Sequence, residues 1–99
     1  MVMQDVHKEA IRRACKELGV ERLDIFGSAT RPDFGPTSDI DVVARFDRRP
    51  GKMFGRYFDL KEGLERILGR PVDVVVEDSI RNPYFREAVE RSRVKVYES

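Results

Sequence analysis

The sequence predicts an α/β (α+β) domain in which a small mixed sheet of about four strands packs against helices on one face. Short apolar runs alternate along the chain with amphipathic helical stretches, in the order α-β-loop-β-α-β-α-β. At 99 residues the chain is long enough for one hydrophobic core, so residues 1–99 are expected to form a single domain. Charged residues at 37% and hydrophobic residues at 40% are typical of a globular protein.

Hydrophobic periodicity and the positions of Gly and Pro define the individual elements. Apolar residues recur every four positions as far as Leu18, and Gly19 then ends the first helix. Asn82-Pro83 is typical of a helix N-cap followed by the first helical residue, so it predicts the start of the third helix. The predicted elements are a helix over 5–18, strands over 23–26 and 39–45 with a stub of helix near 28–31 and a loop over 32–38 between them, a helix over 53–68, a strand over 72–77, a helix from 83 to 91 or 92, and a strand over 94–97.

The helices are expected to turn their apolar sides toward the sheet. Cys15 falls on the apolar side of the first helix and is expected to be a small core residue. As the single cysteine, it excludes an internal disulfide. The third helix is expected to face inward with Phe85, Ala88 and Val89. For the second helix the predicted inner residues are Phe54, Tyr57, Phe58, Leu64, Ile67 and Leu68.

The charge balance and the hydropathy of the chain indicate which classes of binding partner to expect. The 19 basic and 18 acidic residues nearly balance, so the composition does not indicate a nucleic-acid or anionic membrane partner. No apolar run reaches the roughly 18 residues of a membrane-spanning helix. The first ten residues lack the apolar stretch of a secretory signal. We therefore expect a cytoplasmic protein with no membrane partner and no direct nucleic-acid partner.

Three aspartates, Asp39, Asp41 and Asp73, are the candidate metal-binding residues. Alternate side chains of a strand point to opposite faces, so Asp39 and Asp41 share the face opposite their apolar neighbours. Asp73 has the same parity in a strand that we expect to be central and adjacent to the strand 39–45. Converging carboxylates would supply the oxygen ligands that Mg²⁺ shares with substrate phosphates, whereas a bare pair is also compatible with acids held apart by water. Glu77 lies about 13 Å further along its strand and is left out of this group.

Gly27 and Ser28, directly after the first strand, are candidate phosphate-binding residues. Glycine permits close backbone approach, and a short helix starting at Ser28 would present N–H groups and a hydroxyl to an anion. The turn is not a Walker loop, because no Gly-Lys-Ser/Thr follows it. Taken alone, a Gly-Ser pair is weak evidence for a phosphate site.

The combination of these motifs resembles the DNA polymerase β-like nucleotidyltransferases. The carrying residues are Gly-Ser at 27–28, the Asp-Ile-Asp at 39–41 after ten intervening residues, VDVVV at 72–76 and KVY at 95–97. The resemblance is closest to the minimal nucleotidyltransferases, which consist almost wholly of the catalytic domain, and it spans nearly the whole chain. It implies a polymerase β-like nucleotidyltransferase fold.

One stretch departs from the family pattern. The usual run after Gly-Ser is Ala-Arg-Gly, where this chain has Thr30-Arg31-Pro32. Arg31 keeps the basic position and could neutralise triphosphate charge or serve only at the surface. Pro32 replaces a glycine and should stiffen the phosphate loop.

The resemblance also implies roles for the candidate residues. In such enzymes two Mg²⁺ ions assist in-line attack on the α-phosphate of a nucleoside triphosphate, here ATP, and diphosphate leaves. By this likeness Asp39 and Asp41 would hold both ions. Asp73 would hold the catalytic ion and help to deprotonate the acceptor hydroxyl. Gly27 and Ser28 would bind the β- and γ-phosphates.

The acceptor enters through the same resemblance. Minimal nucleotidyltransferases resemble the antitoxins of prokaryotic toxin–antitoxin pairs whose toxin is a HEPN ribonuclease, and there AMP is moved from ATP to a tyrosine of the toxin. Since only about twenty residues follow the third strand, we expect a large docked acceptor or a pocket completed by a partner chain. The implied function is that of a protein adenylyltransferase and antitoxin that forms a hetero-oligomer with a HEPN toxin.

Two alternatives stay open at this point. One is a nucleotidyltransferase for another acceptor, a small molecule or a different protein, with the substrate domain supplied in trans. The other is a non-catalytic antitoxin that neutralises its toxin by binding alone.

Overall fold

The structure, a computed structural model, describes residues 5–30, 39–49, 51 and 53–99. The elements are α1 (Asp5–Leu18), β1 (Val20–Phe26), β2 (Ile40–Phe46), α2 (Met53–Leu68), β3 (Val72–Val76), α3 (Pro83–Ser92) and β4 (Val94–Glu98). Short 3-10 helices, Gly27–Thr30 and Glu77–Ser79, follow β1 and β3. The predicted bounds of α1 and α2 and the predicted start of α3 are confirmed. None of the helices in the described ranges is long and apolar enough to span a bilayer.

The four strands form one mixed sheet in the order β3-β2-β1-β4. β1 is antiparallel to both β2 and β4, whereas β2 and β3 are parallel. The predicted mixed sheet of four strands is therefore confirmed. The expectation that the strand bearing Asp73 is central is wrong, because β1 occupies the other side of β2 and leaves β3 at the edge of the sheet.

β1 begins three residues before the predicted strand over 23–26. Gly19 adopts a positive φ of 70°, which ends α1 and lets the chain reverse at once. Val20 is buried and pairs with Phe46 at the far end of β2. The polar pair Glu21-Arg22 interrupts the apolar run and conceals this first part of the strand in the sequence.

The main hydrophobic core lies between the sheet and the helices α1 and α2. Cys15 is fully buried there, as predicted, and burial raises the pKa of its thiol to about 12. Ile11 accompanies it from α1, and Leu60 and Leu64 come from α2. The sheet contributes Val20, Leu23, Ile25, Ile40, Val42, Ala44, Phe46, Val72 and Val74.

A smaller second core lies on the opposite face of the sheet, beneath α3. Val89 packs there with Phe26, Val43 and Ile80. Helices therefore cover both faces, and the expectation of helices on one face holds only for α1 and α2. Of the predicted inner residues of α3, Val89 is buried while Phe85 remains 40% exposed and Ala88 is exposed.

The predicted inner side of α2 is partly wrong. Leu60 and Leu64 are the buried residues, whereas Phe54 is 72% and Phe58 is 42% exposed. At about 100° per residue, Phe58 lies on the far side of the helix from Leu60. The two exposed rings contact each other edge to face, with their centroids 4.7 Å apart.

Asp24 is a fully buried carboxylate on the same face of β1 as Phe26. Arg22 donates to it from Nε at 2.8 Å and from Nη2 at 3.0 Å. Arg93, directly after α3, donates from Nη2 to Asp24 Oδ1 at 2.9 Å and to Glu77 Oε1 at 2.8 Å. Burial opposes ionisation of Asp24, but the bonds from both arginines hold its pKa below the ordinary value. This network fastens the end of α3 to β1 and to the turn after β3.

Replacing Arg93 with Ala should lower the free energy of unfolding by roughly 3 kcal/mol, because Asp24 would remain buried with one charged partner fewer. Since the lowered pKa of Asp24 stabilises the fold only while that carboxylate is ionised, the difference from wild type should shrink as the pH falls below the ordinary pKa of aspartate. Urea unfolding at several pH values measures both effects.

Arg12→Ala is the control for this prediction, because it removes an arginine whose contact with Glu9 is exposed. Its free energy of unfolding should equal that of the wild type within error. An Arg93→Ala protein as stable as the control would show that the buried network contributes nothing to the fold.

Candidate active site

Asp41 and Asp73 lie directly opposite each other on adjacent strands. β2 and β3 pair in parallel with the register Asp41↔Asp73. The apolar residues one position on, Val42 and Val74, are buried in the main core, so both carboxylates point to the other face. Asp39 lies two residues before Asp41, immediately ahead of β2, and is exposed.

The charges of the three aspartates act on one another. Burial raises the pKa of Asp41, and the negative charges of Asp73 and Asp39 raise it further. Asp41 is half-buried, whereas Asp39 and Asp73 are exposed. A cation bound among the three aspartates would offset the repulsion between their negative charges.

The donor set fits a hard divalent cation such as Mg²⁺. All three groups are carboxylates on one face of neighbouring strands, and Mg²⁺ binds one or two protein carboxylates together with water and substrate phosphates. Within the described residues, no three His, Cys, Asp or Glu side chains already form a closed ligand set. Asp39 and Asp73 are exposed, so their side chains have room to rotate toward Asp41.

Gly27 brings the turn after β1 against the Asp41 carboxylate. Its φ is 71°, and a Cβ built on it would lie 3.1 Å from Asp41 Oδ2. The positive φ therefore favours glycine here, and a side chain at this position would have to displace the Asp41 carboxylate by a few tenths of an ångström. The backbone at Gly27 thus lies close to the Asp41 carboxylate, whereas the close approach of a phosphate to Gly27 stays a prediction.

The hydrogen bonds of Gly27 are made within the protein. Its N–H donates to Ser92 Oγ at 3.0 Å, and its carbonyl accepts from Thr30 Oγ1 at 2.7 Å. Ser92 in turn donates to the carbonyl of Ala88 at 3.0 Å. The Gly27 N–H is therefore bonded within the protein, and the missing side chain of Gly27 leaves space beside Asp41.

The other predicted phosphate-binding residues are described only in part. Ser28 has its backbone in the 3-10 helix Gly27–Thr30. Arg31 and the neighbouring Pro32 lie outside the described residues. Glu77, left out of the acidic group, is bound to Arg93 instead.

A pocket of about 350 Å³ opens beside the turn after β1. One wall is the strand end and turn, and the other is the last part of α3. Its lining residues are Phe26, Gly27, Thr30, Ala88, Arg91 and Ser92. Since Phe26 pairs with Asp41 in the sheet, the pocket lies next to the position of Asp41.

Sequence reasoning missed Asp24 and Ser92. The argument that an aspartate among apolar residues of a strand needs a partner was applied to Asp73. It applies equally to Asp24, which lies between the core residues Leu23 and Ile25. Ser92 left no such signal, because its partner Gly27 lies 65 positions earlier in the chain.

The chain is similar to nucleotidyltransferases along most of its length. A family model described as a nucleotidyltransferase domain matches residues 8–96. A Methanocaldococcus jannaschii protein provisionally named a protein adenylyltransferase is 36% identical over 90 residues, which are 91% of this chain and 87% of that protein. The protein adenylyltransferase MntA of Thermococcus cleftensis is 32% identical over 76 residues, 77% of this chain and 72% of its own.

Solved structures share the fold. One described provisionally as a minimal nucleotidyltransferase has a TM-score of 0.75 at 32% identity and covers 90% of this chain and 88% of its own. Another, described as a tri-AMPylated Shewanella oneidensis HEPN toxin in complex with an MNT antitoxin, has a TM-score of 0.66 at 17% identity. It covers 98% of this chain and 74% of its own. At that identity the second likeness is evidence of a common fold alone.

Gly27→Ala should lower both the free energy of unfolding and the affinity for Mg²⁺. A non-glycine residue at positive φ costs about 1 kcal/mol or more, and the new methyl group would press on Asp41. Gly69→Ala is a matched control, since Gly69 has a φ of 70° and no atom of the described residues lies within 4 Å of its added Cβ. Thermal unfolding and magnesium titration of both variants separate the two effects. Equal magnesium affinity in the two variants would contradict the role given to the Gly27–Asp41 contact.

Asp41→Asn should raise the free energy of unfolding of the metal-free protein at neutral pH. The raised pKa of Asp41 means that its ionised form opposes folding, and asparagine removes that charge at nearly equal volume. The gain should vanish below the ordinary pKa of aspartate, where the wild-type carboxyl is also neutral. Chemical unfolding across pH measures it, with Asp59→Asn on the exposed side of α2 as control. A loss of stability at neutral pH would contradict the repulsion among the three carboxylates.

Proposed function

The chain belongs to the nucleotidyltransferase domain family, and we propose that it is a protein adenylyltransferase that acts as an antitoxin. In this proposal it transfers AMP from ATP to a tyrosine of a cognate HEPN toxin, with Mg²⁺ as the cofactor. The observation that carries the nucleotidyl-transfer chemistry is the pairing of Asp41 with Asp73, with Asp39 on the same face and Gly27 against Asp41.

The three carboxylates are the proposed ligands of two Mg²⁺ ions. Magnesium bound there would offset the negative charge of the triphosphate and lower the pKa of the attacking hydroxyl. Asp39 and Asp41 would hold both ions, and Asp73 would hold the one nearer the acceptor. The charge cluster supports these assignments, since the ionised form of Asp41 is disfavoured without a counter-ion.

The remaining residues of the site orient the nucleotide and accept the proton. The acceptor oxygen attacks the α-phosphorus, the bond from the α-phosphorus to the bridging oxygen breaks, and diphosphate leaves. Asp73, exposed at the edge of the sheet, can be reached by a docked acceptor and is proposed to help remove the hydroxyl proton. Gly27 leaves room for the phosphates beside Asp41, and Ser28 and Arg31 are proposed to bind the β- and γ-phosphates.

The names of the relatives support a protein as the acceptor, and the choice of tyrosine follows from the family resemblance. The Thermococcus cleftensis relative is named a protein adenylyltransferase, and a structure with this fold is described with an AMP-modified HEPN toxin. The sheet edge at β3 leaves Asp73 accessible to a large substrate. Transfer to a different acceptor held by a domain in trans uses the same carboxylates and remains the first alternative.

Incubation of the protein with ATP, Mg²⁺ and the product of the neighbouring gene is the decisive test of this function. Mass spectrometry should show the addition of AMP to a tyrosine of that product, and the isolated toxin should lose ribonuclease activity. Asp41→Asn and Asp73→Asn should each lower the rate of transfer by 100-fold or more, with Asp73→Asn retaining most of the affinity for ATP. No added AMP on the toxin, with modification of another component of a cell extract, would favour the alternative acceptor.

Asp59→Asn is the matched control for this experiment, because Asp59 is an exposed aspartate on α2, away from the three carboxylates. It should transfer AMP at the wild-type rate. Neutralisation of the toxin by a protein lacking all three aspartates would instead support a non-catalytic antitoxin.

A further inference from the structure

The pocket beside Gly27 is lined on one side by residues of α3 to which the proposed function gives no role. The turn after β1 supplies Gly27 and Thr30, and the last part of α3 supplies Ala88, Arg91 and Ser92. Its volume of about 350 Å³ is at the lower end of the range for ligand sites, which suits part of a nucleotide rather than the whole of it.

The two walls are fixed to each other by direct contacts. The Gly27 N–H donates to Ser92 Oγ at 3.0 Å, and the rings of Phe26 and Phe85 meet edge to face at 5.9 Å. Arg93, the residue after Ser92, anchors the end of α3 to the buried Asp24. The last turn of α3 is therefore held at a set distance from the turn that lies against Asp41.

Among the described residues that line the pocket, Arg91 is the one that carries a charge. Its guanidinium bonds to Glu87 one turn earlier, and both side chains are largely exposed, at 74% and 59%. Such a surface pair contributes little to stability, so Arg91 can exchange its partner at small cost. A guanidinium binds phosphate oxygens through two parallel N–H donors and keeps its charge at any physiological pH.

The neighbouring arginines of α3 are committed elsewhere. Arg86 donates to the carbonyls of Glu77 and Ile80. Arg93 is only 10% exposed and is bound by three carboxylates, those of Asp24, Glu77 and Glu90. Arg91 is thus the arginine at this end of α3 that both reaches the pocket and can be redirected.

We propose that Arg91 binds the β- and γ-phosphates of the nucleotide in this pocket, exchanging Glu87 for phosphate, on a wall that Ser92 holds against Gly27. The inference rests on the proposed function, because it presupposes a nucleoside triphosphate at the carboxylates. It assigns a nucleotide-binding residue to α3, outside the Gly-Ser turn and the strands.

Calorimetric titration with ATP and with AMP in the presence of Mg²⁺ tests the assignment. Arg91→Gln should weaken ATP binding about tenfold, whereas AMP binding should change less than twofold, because AMP lacks the phosphates that Arg91 contacts. Glu87→Gln should bind ATP as tightly as wild type or tighter, since it releases Arg91. Arg12→Gln, an exposed helical arginine paired with a glutamate on α1, is the matched control and should bind ATP like wild type.

The outcomes separate this inference from the function beneath it. If the wild type binds ATP and transfers AMP while Arg91→Gln binds ATP equally well, the assignment of Arg91 is wrong and the proposed function stands. If Glu87→Gln weakens ATP binding as much as Arg91→Gln does, the ion pair is structural and Arg91 is not a phosphate ligand. If the wild type binds no ATP, both proposals fail. Melting temperatures equal to that of the wild type should show that the variants remain folded.

Discussion

The two-sided pairing of β2 is the constraint on which the rest of the structure depends. β1 and β3 flank this strand, so its alternating side chains must serve a core on each face. Ile40 and Val42 fill the main core, whereas Asp41 and Val43 belong to the other face. A shift of β2 by one residue would exchange these sets, burying the carboxylate and exposing the aliphatic groups. The register that builds the core therefore also places the carboxylates.

Two aspartates on this face show how one fold uses carboxylates in opposite ways. Asp24 is fully buried, yet two arginines hold its pKa below the ordinary value. Asp41 is only half-buried, but its charged neighbours are other aspartates and its pKa is raised. Asp24 thus has its counter-charge built into the protein, whereas the charges that act on the pKa of Asp41 are those of other aspartates. Pairs of acids whose surroundings separate their pKa values in this way are typical of functional sites.

Local patterns in the sequence were enough for the helices and for much of the candidate site. The periodicity that ends at Leu18 and the Asn82 cap locate α1 and α3, because both signals act within a few residues. Strand parity correctly grouped Asp41 with Asp73, although the accompanying argument from a central strand was wrong. β3 lies at the edge because β1 pairs with the other side of β2. Local sequence patterns do not predict which strands pair with each other.

The features that sequence reasoning missed join distant parts of the chain. The bond from Gly27 to Ser92 and the bond from Arg93 to Asp24 form only after α3 has folded back over the sheet. The sequence analysis predicts Phe54 on the inner side of α2, whereas the buried residues of that helix are Leu60 and Leu64. One or two hydrophobic residues at the end of a helix do not show which side of the helix faces the core, because the apolar stripe is defined only over several turns.

Because β3 lies at the edge of the sheet, the charge of Asp73 bears on the solubility of the protein as well as on its chemistry. VDVVV is a short, β-branched strand, and such strands at a sheet edge can pair with another chain and aggregate. At its first residue, Val72, the backbone N–H is bound by Glu65 and the carbonyl by Lys61, which blocks that end. Asp73 is the single charged residue of β3, and the other four residues of the strand are valines. Because charges on edge strands disfavour pairing with another chain, we expect the carboxylate that is proposed to serve a substrate also to oppose self-association at this edge.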